Sequence, residues 1–163
     1  MNLSIEEESF TNICDSIRNS GKALFPGEGY SRVVFTSGRF DILHPGHLKL
    51  LNKCRSMAGP KGVVVVGVAS DKSIKATMDN QYPIIGEDLR CLSLVHLRMV
   101  DHVITYDSQT PEELIKTLKP DIIVAGSDSK GKRIGESLAP TIFIESDEKF
   151  NTKEILKKIG YGK

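Results

Sequence analysis

The stretch Arg32-Val33-Val34-Phe35-Thr36-Ser37-Gly38-Arg39-Phe40-Asp41-Ile42-Leu43-His44-Pro45-Gly46-His47 decides how this chain is read. Its first five residues form a short run rich in β-branched side chains, the composition of a strand. Pro45 suits the first position of a helix, where its missing N–H is no loss and its φ is already helical. Between the two, Gly38 lets the backbone turn tightly and approach a ligand closely. The stretch therefore reads as strand, loop and helix, and sets a helix N-terminus, a ready site for phosphate, at the end of the strand. His44 and His47, spaced i, i+3, point from one edge into that site.

Outward from this segment the same alternation repeats. Gly62-Val63-Val64-Val65-Val66-Gly67-Val68 is a continuous apolar run bounded by glycines, as expected for a strand buried on both faces. A loop holding Lys75, Asp79 and Pro83 leads into a helix over about residues 86–100. A strand follows at 102–105, then a helix at 111–118, strands at 121–125 and 141–144, and a closing helix at 152–159. Upstream, residues 4–19 read as an amphipathic helix with Phe10, Ile13, Cys14 and Ile17 at helical spacing and carboxylates in its first turn. A turn-rich stretch, Phe25-Pro26-Gly27-Glu28-Gly29-Tyr30, sets that helix apart.

The expected fold is α/β: a Rossmann-like single domain with a five-stranded parallel sheet flanked by helices, built from right-handed βαβ units. Residues 1–29 form an N-terminal helical extension and 30–163 the domain proper. Ligands of such sheets sit outside the carboxyl ends of the strands. That rule directs attention to residues 37–47, 70–75, 126–132 and 145–152.

The bulk properties exclude several classes. At 163 residues the chain is one domain's worth, and its 39% hydrophobic and 26% charged residues suit a globular protein able to bury a core. A net charge of +1 argues against a nucleic-acid binder working by bulk electrostatics. Cys14, Cys54 and Cys91 are widely spaced and show no CxxC pairing, so reduced thiols and a cytoplasmic location are expected. The acidic N-terminus has no apolar run of a signal peptide, and the longest apolar stretch is far too short to span a bilayer. No membrane association is expected.

The chemistry follows from the two imidazoles. At a phosphate-binding helix N-terminus they can donate hydrogen bonds to the equatorial oxygens of a phosphorus atom under attack. Phosphoryl-type transfer needs little beyond positioning, a divalent cation and cationic side chains. An ionised phosphate oxygen as nucleophile would need no general base. A zinc half-site is a poorer reading, since HExxH sites want i, i+4 spacing and a Glu, and both are absent here. A purely structural role suits a lone histidine better than two flanking Pro45-Gly46 at a strand-to-helix junction. No GxGxxG follows the first strand, which sets aside a dinucleotide fingerprint.

On these residues the run 33–49 resembles the signature of the cytidylyltransferase-like nucleotidyltransferases, a Rossmann-like α/β superfamily. Within it, residues 32–159 are similar to the adenylyltransferase domain of ADP-heptose synthase. Val66-Gly67-Val68-Ala69-Ser70-Asp71, Thr110-Pro111-Glu112-Glu113-Leu114-Ile115 through Lys119-Pro120-Asp121, and Leu156-Lys157-Lys158-Ile159 carry the likeness further. Glycerol-3-phosphate cytidylyltransferase is next in resemblance, sharing Lys49 two residues after the second histidine and Gly131-Lys132 after the fourth strand.

The resemblance implies roles position by position. His44 and His47 would steady the α-phosphate during attack, with Lys49 beside them. Thr36, Ser37, Gly38, Arg39 and Phe40 would hold the nucleotide, joined by Gly126 and Asp128 after the fourth strand and by Asn151 and Thr152 at the closing helix. Lys75, Arg90 and Lys132 would anchor the acceptor phosphate; a solvated helix charge is the other reading of Arg90. No residue is assigned to a metal of the protein's own, and Mg²⁺ would arrive with the NTP. The implied partners are an NTP (ATP or CTP), a phosphorylated small molecule and a second copy of the chain in a homodimer.

The leading expectation is AMP transfer from ATP to a sugar 1-phosphate of the heptose type, releasing pyrophosphate. A cytidylyltransferase acting on a polyol or alcohol phosphate is the alternative within the class, with an archaeal-type FMN adenylyltransferase more distant. Two departures matter, and the second motivates a non-catalytic nucleotide-binding module as a competing reading. Ala125-Gly126-Ser127-Asp128 stands where the heptose enzymes carry Lys-Gly-Gly-Asp, and Asn151-Thr152-Lys153 where they carry Ser-Thr-Thr. Tyr82-Pro83 likewise replaces Arg-Pro, and Arg39 a small or apolar residue. An interaction scaffold built on the N-terminal helix is a further reading.

Overall fold

The computed structural model describes residues 32–79, 81–127, 137–145 and 151–161, together with Ser16. The expected helix at 4–19, the boundary at 29/30, Asp128 and Lys132 lie outside these residues. Among the described residues the β-branched runs form five strands: β1 Val33–Gly38, β2 Val63–Ala69, β3 His102–Tyr106, β4 Ile122–Gly126 and β5 Thr141–Ile144. All pairings are parallel, in the order β3-β2-β1-β4-β5. Among the described residues five helices accompany them: α1 Pro45–Ala58, α2 Asp71–Thr77, α3 Glu87–Val95, α4 Glu112–Leu118 and α5 Thr152–Lys158. This is the expected Rossmann-like α/β sheet.

Strand alternation sends side chains to two cores, one on each face. Val33 and Phe35 of β1 join Leu114, Ile115 and Leu118 of α4 on one face. Val34 joins Leu51, Cys54 and Ala58 of α1 and Leu94 of α3 on the other. The Phe35 ring reaches across to the neighbouring strand and needs a glycine there: a Cβ on Gly67 would lie 2.8 Å from its Cζ. Two aspartates hold the amino ends of the interior strands β1 and β2. Asp121 accepts from the N–H of Val33 at 2.8 Å, and Asp101 from that of Val64 at 2.7 Å. Arg55 of α1 completes the second of these, pairing with Asp101 and donating to the carbonyl of Gly62 at 3.0 Å.

Two elements differ from the sequence expectation. The segment holding Lys75 was expected as loop, yet residues Asp71–Thr77 form α2. Its signal is the cap: the Ser70 hydroxyl accepts from the N–H of Ser73 at 3.1 Å, with Asp71 in the first turn. With only Ser73 and Ile74 buried, the helix has little apolar stripe to betray it. The helix expected over 86–100 ends instead at Val95. Tight turns follow, with the N–H of Leu97 bonded to Leu94 and that of Val100 to Leu97, both at 3.0 Å. Leu97, Met99 and Val100 still reach the core, so the apolar pattern runs on past the helix that first carries it.

β1 pairs with β2 over six residues but with β4 only at Val34↔Ile122 and Phe35↔Ile123. The pairing thus stops short of the carboxyl ends, at the point where strand order reverses. That is where open α/β sheets place a ligand crevice.

Candidate active site

β1 ends at Gly38, and the loop to α1 begins there. Gly38 has no side chain because Phe40 lies over it: a Cβ there would sit 3.2 Å from Cε2 of that ring. Phe40 is buried and takes a left-handed φ of 51°, uncommon for a side chain with a ring. This conformation folds its ring back beneath the start of α1, 4.9 Å from the ring of His47.

His44 is the N-cap of α1 and Pro45 follows at its first turn. The His44 side chain makes no cap bond, so the first turn keeps its anion-binding character. The rings of His44 and His47 stack with centroids 3.7 Å apart and planes 25° from parallel. Nδ1 of His44 is buried and has no hydrogen-bond partner among the described residues. Burial also lowers the His44 pKa from its ordinary value, which keeps the imidazole neutral. A neutral imidazole offers one N–H donor without bringing a charge of its own.

The other expected residues are distributed around this pair. Thr36 is fully buried within β1, its hydroxyl against the Cys54 thiol, so its side chain is remote from solvent. Ser37 lies half-buried beside Tyr106, whose phenol burial pushes up to about 12 against the opposing effect of the Ser37 hydroxyl. Arg39 is exposed, with Nη1 2.8 Å from the Met78 sulfur at the end of α2. Lys49 is exposed on α1, and Lys75 is exposed in the last turn of α2. Gly126 ends β4, paired with Ile144 of β5. Asn151 caps α5, its Oδ1 accepting from the N–H of Glu154 at 2.9 Å, with Thr152 half-buried behind it. The side-chain oxygen of Asn151 thus already has a backbone donor.

Arg90 overturns one reading. Rather than a solvated helix charge it is 1% exposed, with Nε donating to the Ile85 carbonyl at 2.9 Å, Nη1 to the Arg39 carbonyl at 2.5 Å and Nη2 to Asp71 Oδ1 at 2.8 Å.

Sequence reasoning missed the acidic partners. Asp41 is buried, and its two oxygens accept from the N–H groups of Ile84 and Ile85 at 2.9 and 2.8 Å. The backbone N–H of Asp71 donates to Glu87 at 2.7 Å. The available signal was a carboxylate inside the apolar run Phe40-Asp41-Ile42-Leu43, since a charge so placed must find donors.

Among the described residues no group of three or more His, Cys, Asp or Glu side chains could hold a metal ion. Nor is any helix there long and apolar enough to cross a membrane.

Comparison with known proteins extends these observations. The model of the cytidylyltransferase-like family matches residues 35–158. The bifunctional protein HldE of Helicobacter pylori (strain J99 / ATCC 700824) is 42% identical over 130 residues, covering 78% of this chain and 27% of that protein. HldE of Campylobacter jejuni (strain RM1221) is 40% identical over 130 residues, covering 78% of this chain and 28% of its own length. The chain thus spans about a quarter of the length of the curated relatives it matches. Among solved structures, a lipopolysaccharide core biosynthesis protein from Thermoplasma volcanium GSS1 superposes with a TM-score of 0.57 at 26% identity, covering 71% of this chain and 96% of that one. A strand-to-helix turn with two stacked imidazoles, set at the switch point of a 3-2-1-4-5 sheet, is thus accompanied by kinship over most of the domain, and the chain belongs to the cytidylyltransferase-like family of nucleotidyltransferases.

Proposed function

We propose that this chain transfers AMP from ATP to a sugar 1-phosphate of the heptose type and releases pyrophosphate. The single observation that carries the reading is the stacked His44–His47 pair at the N-terminus of α1. Identity of 42% with HldE and the likeness to a lipopolysaccharide core biosynthesis protein support the sugar acceptor.

In this reading an ionised oxygen of the acceptor phosphate attacks the α-phosphorus of ATP. One P–O bond forms, the bond to the β-phosphate oxygen breaks, and pyrophosphate leaves with that electron pair. The imidazoles donate to the equatorial oxygens, where negative charge grows. Neutral His44 serves as a donor that the substrate does not have to deprotonate. The backbone of residues 36–40, with Gly126, Asn151 and Thr152, would hold the nucleotide. Lys49, Lys75 and Lys132 supply cations for the phosphates. Mg²⁺ would ride on the triphosphate, where it neutralises charge. A homodimer and a cytoplasmic location complete the proposal, and sedimentation equilibrium tests the first.

The experiment is pyrophosphate release with ATP and heptose 1-phosphate, run beside CTP and glycerol 3-phosphate, with His44→Ala as control. Release with the first pair, falling about 100-fold or more in the variant, is expected. Release with the second pair alone would replace the substrate assignment. NTP binding without release from any pair would leave a binding module.

A further inference from the structure

Arg90 heads the fully buried side chains of the described residues in volume, and it is the one cation among them. Burying a guanidinium is costly unless every direction it faces is paired. Here the pairing is long-range: the acceptors on Arg39 and Asp71 lie 51 and 19 residues away in sequence. What the guanidinium holds is the peptide carbonyl immediately before Phe40, the residue with the left-handed φ. On the other side of Phe40, Asp41 is held by the N–H groups of Ile84 and Ile85, and Arg90 Nε bonds to the carbonyl of that same Ile85. Phe40 is therefore clamped from both flanking residues by one short segment and one side chain. Its ring in turn rests against His47, which stacks on His44.

We propose that Arg90, fixed by Asp71, is a positioning residue: it sets the Gly38–Asp41 loop and, through Phe40, the orientation of the His44–His47 pair. The inference rests on the proposed nucleotidyl transfer for the meaning of that pair. Arg90 touches no substrate in this account. Its side chain has no exposed surface, and three of its N–H groups already meet protein oxygens. Asp71 belongs to the same device. It opens α2, its backbone N–H bonds Glu87 at the start of α3, and its carboxylate holds Arg90, so the two helices and the loop share one ion pair.

The test uses the full chain with Arg90→Lys, Arg90→Met and Asp71→Asn. Displacing reacting groups by about 1 Å can lower a rate about 100-fold, and a loss of kcat of that order is expected for Arg90→Lys. KM for both substrates should stay within about threefold, because no ground-state contact is removed. Asp71→Asn should lower kcat in the same sense, and the double variant should be no worse than Arg90→Lys alone. Asp71→Asn keeps the side-chain volume and one oxygen, so it remains informative should the Arg90 variants not fold. A second readout is independent of turnover. In the ligand-free protein, the ring-current shifts of the His44 and His47 imidazole protons, read by NMR, should collapse toward free-histidine values in Arg90→Met and Asp71→Asn. A retained kcat with KM for the acceptor raised tenfold or more would make Arg90 a phosphate ligand and overturn the proposal. Unchanged ring-current shifts would overturn it too, reducing the ion pair to a structural one. If the wild type shows no transfer with any substrate pair, the functional reading fails while the NMR outcome still decides the positioning role.

Discussion

Replacing Asp41 tests how firmly the site loop is fastened to the rest of the domain. Asp41 is 4% exposed and accepts two backbone hydrogen bonds, at 2.9 Å from Ile84 and 2.8 Å from Ile85. Hydrogen bonds to a charged group are worth roughly 1.5–3 kcal/mol each, and a donor left buried without a partner adds its desolvation penalty. Ile84 and Ile85 are half-buried, so water can recover part of what is lost. Asp41→Ala should therefore destabilise the domain by about 3–4 kcal/mol. For a chain of this size that corresponds to a fall in Tm of roughly 6–16 °C. Asp41→Asn keeps one acceptor oxygen but turns an NH₂ toward an N–H, and should lie between Asp41→Ala and the wild type. Urea unfolding followed by circular dichroism gives the stability, and pyrophosphate release gives the activity. Activity should fall in the folded Asp41→Asn protein, since the loop it anchors carries Phe40 against His47. An Asp41→Ala protein within 1 kcal/mol of wild type would refute the argument, showing the two bonds to be replaceable by solvent.

The other expectations need less construction. Gly67→Ala would place a Cβ 2.8 Å from Phe35 Cζ and 3.2 Å from Leu114 Cδ2, so overpacking of about 1–3 kcal/mol is expected in denaturation, with KM values unchanged. His44 and His102 both have their pKa lowered by burial below the ordinary 6.5, so the unfolded chain takes up protons first as pH falls. Their contribution to stability is then complete above pH 6.5 and lost as the pH drops below it, and His102→Ala should flatten that slope in urea titrations between pH 7 and 5. Cys54 is fully buried, which pushes its thiol up to about 12, while Cys91 is partly exposed. Alkylation at pH 8 followed by mass spectrometry should label Cys91 in the native protein and Cys54 only on unfolding.

The sheet and the histidine pair were legible because their signals are local. Val63 to Val66 announce a buried strand whatever surrounds them, and Pro45 marks a helix start without reference to any distant residue. Even so, local signals misplace boundaries where apolar pattern and hydrogen bonding part company. Leu97, Met99 and Val100 are core residues on turns, so the pattern extended α3 beyond Val95. The opposite happened at Asp71–Thr77, where a cap bond built a helix that has almost no apolar stripe. What a residue contributes through a partner far away in sequence had no local trace. Arg90 reads as one more charge on a helix until Arg39 and Asp71 are brought to it.

This division has a physical origin in how the site is made. In the proposed transfer the histidines face a phosphate; they sit on a turn that any strand-to-helix junction can form, and their spacing alone announces them. A left-handed φ at Phe40 is disfavoured by its own sterics and persists only where the surroundings over-determine it. Those surroundings are the carboxylate of Asp41 and the guanidinium of Arg90, each buried and each needing partners from another part of the chain. A buried charge without its partner would be worse than none, so loop, α2 and α3 must form together or not at all. The site's reactive groups are thus set by local sequence and its geometry by long-range pairing, and a substitution at Asp71, which is in neither the loop nor α1, should be felt at the imidazoles.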